Sequence, residues 1–226
     1  METLVIEQTK EFVKNSLKGQ EVGHDWHHVE RVWLNGLKIA QKEECNLVVV
    51  QLASLLHDIA DWKFHDGNER IGSDIARAWL SELKLDETMI DHICDIILTM
   101  SFKGAHTASK MATIEGQIVQ DADRLDAIGA IGIARAFSYG AYTEQDLYNE
   151  QINLHFHSSF EEYKNAQTTT INHFYEKLFL LKDRMNTETG KKMAEERHRY
   201  MVHYIQTLKE ECQLDWLPDP NNYTID

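Results

Sequence analysis

The sequence predicts an all-α protein, and three features of the chain support this prediction. Only two of the 226 residues are prolines, Pro218 and Pro220, and both lie near the end, so long helices can form upstream. Apolar residues recur at steps of three and four positions, which is the spacing of one helix face. We find no convincing strand pattern, no internal repeat and no low-complexity segment.

The first three predicted helices follow from this spacing. Residues 3–18 form an amphipathic helix, and residues 25–44 carry the apolar stripe of a core-facing helix. His28 lies on the inner edge of that stripe, so we expect its side chain to point into the protein. Asn46 is predicted to cap a third helix, which is apolar nearly all round and therefore central.

The helical pattern continues through the rest of the chain. Further helices are predicted, in order, at about 69–83, 87–99, 160–185 and 188–213, and residues 114–140 are predicted to lead the Asp121–Asp126 segment into a small-residue helix at 127–137. The connections between them are predicted at 61–68, 101–110 and 141–158. Because no linker divides the sequence, we predict one domain over residues 1–226, with a core at about 20–140 and a helical extension at about 141–213.

Charge and cysteine content exclude several classes of function. The chain has 37 acidic and 23 basic residues, and its net charge of −14 repels polyanions, so we expect no DNA or RNA partner. The three cysteines form no Cys-x-x-Cys pair, which argues against a thiolate zinc site or a disulfide framework. With neither a signal peptide nor the ~18 apolar residues of a membrane span, a soluble cytoplasmic protein without a membrane partner is predicted.

The doublet His57-Asp58 is the feature that says most about function. It closes a long apolar run (residues 47–56), and polar groups at the end of a buried segment are costly unless something pairs them. A divalent metal ion is the natural partner. His28 upstream and Asp123 downstream complete an ordered set of four candidate ligands.

Two imidazoles and two carboxylates suit a divalent ion such as Mn²⁺, Fe²⁺, Co²⁺, Ni²⁺ or Mg²⁺. Four protein ligands leave two positions of an octahedral ion open for water and a phosphate oxygen. Such a site lowers the pKa of the bound water and neutralises charge on a phosphoryl group. The absence of cysteine ligands argues against a closed structural zinc site.

Three strings of the chain carry a family resemblance. They are His24-Asp-Trp-His-His-Val-Glu-Arg-Val32, Leu55-Leu-His-Asp-Ile-Ala-Asp-Trp-Lys-Phe64 and Asp121-Ala-Asp-Arg-Leu-Asp-Ala-Ile-Gly129. They resemble the HD superfamily of metal-dependent phosphohydrolases, in particular small stand-alone bacterial members that act as pyrophosphohydrolases on nucleoside triphosphates. The resemblance implies an HD-domain helical bundle with additional C-terminal helices. It also implies one metal ion, held by His28, His57, Asp58 and Asp123.

The resemblance further suggests two catalytic acids. In HD nucleotidases an acid three positions after the doublet often works with the metal-bound water. That position here holds Asp61, which is shorter than the usual glutamate, so we expect it to act through a water. Asp66, eight positions after Asp58, matches another acid of that motif.

Three further residues are candidates for binding the substrate. Lys103 lies in a glycine-containing loop predicted near the site and is a candidate phosphate clamp, with an ordinary exposed lysine as the alternative. His24 could contact a phosphate from one turn below His28 or simply face solvent. Lys177 is a weaker candidate, since it could equally pair within its own helix.

The residues leave several alternatives open. The substrate is expected to be a small phosphorylated compound such as a nucleotide, but a 5′-nucleotidase and a non-catalytic metal- and nucleotide-binding module remain open. A di-iron oxygenase of similar fold would need further histidines, for which His65 is the only candidate. Asp121 is interpreted as a helix N-cap, while for Asp126 a structural role and a ligand-orienting role weigh equally. A homodimer also stays open.

Overall fold

The computed structural model describes residues 2–19, 25–60, 68–100, 111–155 and 168–223. Within them lie nine α-helices, one 3-10 helix and no strand, which confirms the predicted all-α fold. The α-helices are α1 (Glu2–Ser16), α2 (Trp26–Ala40), α3 (Leu47–Leu56), α4 (Ile71–Glu82), α5 (Glu87–Thr99), α6 (Ile114–Asp126), α7 (Gly129–Tyr142), α8 (Thr170–Glu176) and α9 (Glu188–Cys212). The 3-10 helix, Leu178–Arg184, follows α8. None of these helices is long and apolar enough to cross a membrane.

The described residues divide into two compact units, and the boundary falls inside α6 between Asp123 and Arg124. The first unit contains α1 to α5 and most of α6. The second contains α7, α8, the 3-10 helix and α9. The organisation of residues 1–226 as one domain stays a prediction from the sequence.

Helix α3 is the centre of the first unit, as its apolar pattern predicts. Leu52, Leu55 and Leu56 are fully buried, and the helix packs against α1, α2 and α5. The predicted N-cap is confirmed, because Asn46 Oδ1 accepts hydrogen bonds from the N–H groups of Val48 and Val49. This cap fixes where α3 begins and therefore where its far end emerges.

A glycine lets α2 approach the neighbouring helices closely. A Cβ atom on Gly36 would lie 3.0 Å from Ser54 Oγ of α3 and 3.9 Å from Ala122 Cβ of α6. Asn35, beside it, donates a hydrogen bond from Nδ2 to the carbonyl oxygen of Ala122 at 3.5 Å. Helices α2, α3 and α6 therefore meet, and these are the helices that carry the candidate metal ligands.

The second unit differs from the sequence prediction in its helix boundaries. The continuous helix predicted at 160–185 is wrong in its described part, because Lys177 leaves the helical conformation (φ −139°, ψ −55°) and a 3-10 helix follows. Residues 160–167 lie outside the described residues. The apolar positions Leu178 and Leu181 are spaced by three residues, which is one turn of a 3-10 helix and close to one turn of an α-helix.

The segment 114–140, predicted to lead into a small-residue helix at 127–137, contains two helices. Helix α6 ends at Asp126, and α7 begins at Gly129, which has a positive φ of 78°. Glycine adopts this left-handed conformation without steric cost, so the backbone can leave the helical path at this position without strain.

Candidate metal centre

The end of α3 delivers His57 and Asp58 together, as predicted. His57 is the C-cap residue of α3 and its side chain is only 2% exposed. Its Nδ1 atom lies 2.8 Å from the carbonyl oxygen of Ser54. Because a carbonyl oxygen only accepts hydrogen bonds, Nδ1 must carry the proton, and the lone pair of Nε2 is left for a metal ion.

His28 approaches the same point from α2. Its side chain is 3% exposed, and its backbone N–H donates to the carboxylate of Asp25, the N-cap of α2, at 2.9 Å. The Nε2 atoms of His28 and His57 are 3.2 Å apart, with the ring planes at 65°. The inward orientation of His28 that the apolar stripe predicts is the one observed.

Two carboxylates complete the group. Asp58 Oδ2 lies 3.3 Å from Nε2 of His28 and 3.6 Å from Nε2 of His57. Asp123 Oδ1, from α6, lies 3.6 Å and 3.9 Å from the same two nitrogens. The structure thus brings together the four residues that the sequence nominates as ligands.

These distances fit a single divalent ion. With ligand atoms about 2.1 Å from an octahedral ion, neighbouring ligands lie about 3.0 Å apart and opposite ones about 4.2 Å apart. The five distances that involve a histidine nitrogen run from 3.2 to 3.9 Å, inside that range. The ligand atoms of His28, His57 and Asp58 all lie within 4.8 Å of one another, and Asp123 falls outside this compact group.

Exposure differs between the two kinds of ligand. The imidazoles are nearly fully buried, whereas the side chains of Asp58 and Asp123 are 27% and 39% exposed. An ion at this point would have protein on the histidine side and access to solvent on the carboxylate side. The group is therefore an open site and not a dry polar cluster.

Asp61, Asp66, Lys103 and His24 lie outside the described residues. Lys177 is the C-cap of α8 in the second unit, and its backbone N–H donates to the carbonyl oxygen of His173 at 3.1 Å. Its proposed role in binding a substrate stays a prediction.

The interpretation of Asp121 as an N-cap is wrong. Asp121 lies in the middle of α6 and is fully buried, far from the first turn where a cap would act. Asp126 is also fully buried, and its Oδ2 atom accepts a hydrogen bond from Arg135 Nη1 at 2.6 Å. For Asp126 the observed contact is thus an ion pair with α7.

The carbonyl of Ser54 is a contributor to the centre that sequence reasoning missed. A backbone oxygen carries no side-chain signal, so only its place three residues before His57 could have suggested it. That spacing is the ordinary turn of a helix, and it occurs before every histidine at a helix end. Nothing in the residue type would have singled it out.

Next to Lys177, His173 should make the stability of the protein depend on pH. Burial, and secondarily the charge of Lys177, lowers the pKa of His173 to about 3, whereas an unfolded histidine titrates near 6.5. Between these values the unfolded chain binds more protons, so the free energy of unfolding falls as the pH drops below about 6.5.

We expect His173→Asn to weaken this dependence. Between pH 6.5 and 5, wild type should lose up to about 2 kcal/mol more than the variant. Urea unfolding of the two metal-free proteins at pH 7.5, 6.5, 5.5 and 5 measures the difference. Parallel pH profiles for both would show that His173 is protonated equally easily in the folded and unfolded states.

Comparison with known proteins finds relatives that match nearly the whole chain. The HD domain family matches residues 25–128. YpgQ of Bacillus subtilis is 36% identical over 206 residues, which cover 91% of this chain and 92% of YpgQ. The crystal structure of an HD-superfamily hydrolase from Bacillus thuringiensis has 38% sequence identity and a TM-score of 0.75, covering 94% of this chain and 99% of that one.

A crystal structure of B. subtilis YpgQ in complex with ADP is also similar. It shares 34% identity with a TM-score of 0.72 and covers 91% of this chain and 97% of YpgQ. Similarity at these levels extends over nearly the whole of each chain, well beyond the metal-binding helices. The chain therefore belongs to the HD superfamily, and it is a metal-dependent phosphohydrolase of the HD type.

Proposed function

We propose that this enzyme hydrolyses (deoxy)nucleoside triphosphates to a monophosphate and pyrophosphate. The observation that carries the proposal is the arrangement of His28, His57, Asp58 and Asp123, with buried imidazoles on one side and part-exposed carboxylates on the other. This arrangement leaves room for an incoming anion. The ADP bound to the similar YpgQ supports a nucleotide as the substrate class.

The four side chains would hold one divalent ion: Mn²⁺, Co²⁺, Ni²⁺, Fe²⁺ or Mg²⁺. When bound, such an ion supplies Lewis-acid polarisation of a phosphoryl oxygen and a water of lowered pKa. The protein contributes orientation, since the carbonyl of Ser54 holds the ring of His57 and the cap Asp25 holds the start of the helix that carries His28.

The catalytic and substrate-binding roles are proposed from the sequence resemblance. Asp61 and Asp66 would position the attacking water. Lys103, His24 and Lys177 would contact the phosphates and offset their negative charge, which an acidic protein of net charge −14 otherwise repels.

The test is a substrate panel run in ¹⁸O-labelled water. Nucleoside tri-, di- and monophosphates, in ribo and deoxy forms, are incubated separately with Mn²⁺, Co²⁺ and Mg²⁺, and products are identified by phosphorus NMR and mass spectrometry. We expect pyrophosphate and a monophosphate from triphosphates, with the label in only one of the two products. Asp58→Asn protein, purified identically, is the control for contaminating phosphatases.

Other outcomes of the same panel separate the alternatives. Orthophosphate released from monophosphates would identify a 5′-nucleotidase-type enzyme and contradict the pyrophosphohydrolase proposal. Tight nucleotide binding without any product, in protein with a filled metal site, would favour a non-catalytic module. The cytoplasmic location and a homodimeric state are proposed on the sequence alone, and light scattering of the purified protein tests the second.

A further inference from the structure

Glu115, outside the metal centre, is a buried carboxylate at the start of α6. The residue is only 9% exposed. Its Oε1 atom accepts a hydrogen bond from the backbone N–H of Asn46 at 2.8 Å, and its Oε2 atom lies 3.8 Å from His92 Nε2 of α5. Burying a carboxylate costs several kcal/mol unless it is paired and hydrogen-bonded, so these contacts hold it in place.

The hydrogen bond from Asn46 matters because Asn46 is the N-cap of α3. Its side chain accepts hydrogen bonds from the N–H groups of Val48 and Val49, while its own backbone N–H donates to Glu115. A single carboxylate of α6 therefore accepts a hydrogen bond from the N-cap residue of α3. These two helices together carry three of the four candidate metal ligands.

Both helices run from this contact toward the metal centre. At a rise of about 1.5 Å per residue, His57 lies about 16 Å along α3 from Asn46, and Asp123 lies about 12 Å along α6 from Glu115. The contact therefore joins the starts of two helices whose far ends hold three of the candidate ligands. Metal–ligand distances tolerate only roughly 0.2 Å, so a slide of about 1 Å between the helices would spoil the site.

We propose that Glu115 is a positioning residue that sets the register of α3 against α6 and so places His57, Asp58 and Asp123 around one ion. The proposal rests on the metal centre described above and adds a residue that touches neither metal nor substrate. It also gives a reason for a carboxylate at a position where an apolar side chain would be less costly to bury.

The test compares Glu115→Ala with a control that loses a similar helix contact elsewhere. In Asp86→Ala the N-cap of α5 is lost, because the Asp86 carboxylate accepts hydrogen bonds from Thr88 and Met89. Helix α5 carries none of the candidate ligands, so this variant should lose stability without losing metal affinity. Urea unfolding of metal-free protein gives stability, and calorimetric titration with Mn²⁺ gives affinity.

We expect Glu115→Ala to bind Mn²⁺ about tenfold more weakly than wild type, in the range of groups that orient metal ligands. Asp86→Ala should bind within about twofold of wild type. Glu115→Gln keeps an oxygen that can accept from Asn46 and should retain most of the affinity. The visible spectrum of bound Co²⁺ should change in Glu115→Ala and stay unchanged in Glu115→Gln and Asp86→Ala.

A second pair of variants tests the same hydrogen bond from the other side. Asn46→Ala removes only the side-chain cap, whereas Asn46→Pro also removes the N–H, and the φ of −78° at this position suits proline. We expect weaker Mn²⁺ binding by Asn46→Pro than by Asn46→Ala. This comparison decides the matter if Glu115→Ala does not fold.

The outcomes separate this proposal from the proposed function. Equal Mn²⁺ affinity in Glu115→Ala and Asp86→Ala, or in the two Asn46 variants, would show that Glu115 only stabilises the fold. The proposed function would stand in that case, because its test is turnover by the wild-type protein. Wild type that binds neither Mn²⁺ nor Co²⁺ would overturn the metal centre itself and this proposal with it.

Discussion

His57→Ala should lower turnover by at least about 10³-fold, a loss of about 4 kcal/mol in transition-state stabilisation. The reason is that Nε2 of His57 lies 3.2 to 3.9 Å from a ligand atom of each of the other three candidate ligands. Removing the imidazole therefore leaves the metal ion without one of its ligands. The measurement is turnover of the best substrate from the panel, with the metal content of each sample determined.

The same variant should lose metal-dependent stabilisation. For wild type, Mn²⁺ at about 100 times its dissociation constant adds about 2.7 kcal/mol to the free energy of unfolding. His57→Ala should gain much less at the same concentration, and thermal unfolding with and without Mn²⁺ measures the gain.

His27→Ala is the matched control for His57→Ala. His27 adjoins a candidate ligand in the sequence, but its side chain is 74% exposed and lies 3.8 Å from Glu30. Its loss should change neither turnover nor the Mn²⁺ response. Full turnover by metal-loaded His57→Ala would contradict the assignment of the site.

The parts of this site that follow from the sequence are those encoded by local periodicity. A helix apolar nearly all round must be central, and a histidine-aspartate pair at its end must then be near the core. The inward orientation of His28 follows in the same way from the stripe of α2. The prediction that Asp123 joins these residues rests on the order of the motifs, because periodicity does not say which helices contact one another.

The parts that the sequence did not reveal depend on contacts distant along the chain. Glu115 looks like an ordinary acid in a first helical turn, where it interacts favourably with the helix dipole. Its partner Asn46 lies 69 positions earlier and contributes only a backbone N–H. The break at Lys177 was missed for a different reason, because the three-residue step from Leu178 to Leu181 fits both an α-helix and a 3-10 helix.

Glycines of the small-residue segment after Asp126 illustrate the same limit. The sequence identifies the segment as helical. It does not show that Gly129 and Gly132 are needed for the turn from α6 into α7. At Gly132 a Cβ atom would lie 2.3 Å from the carbonyl oxygen of Ala127 and 2.6 Å from its carbon. Both are backbone atoms, so no side-chain rotation can relieve the contact.

We therefore expect Gly132→Ala to lower the free energy of unfolding by about 3 kcal/mol or more. The gain of up to about 1 kcal/mol that alanine usually brings to a helix interior cannot offset a backbone displacement of this size. Gly116→Ala in α6 is the control, because its added Cβ would lie 2.7 Å from Met111 Cε, the free end of a flexible side chain. Urea unfolding of both metal-free variants should separate them clearly. Equal urea midpoints for the two variants would mean that the backbone at Ala127 moves aside for the added Cβ as easily as the Met111 side chain does.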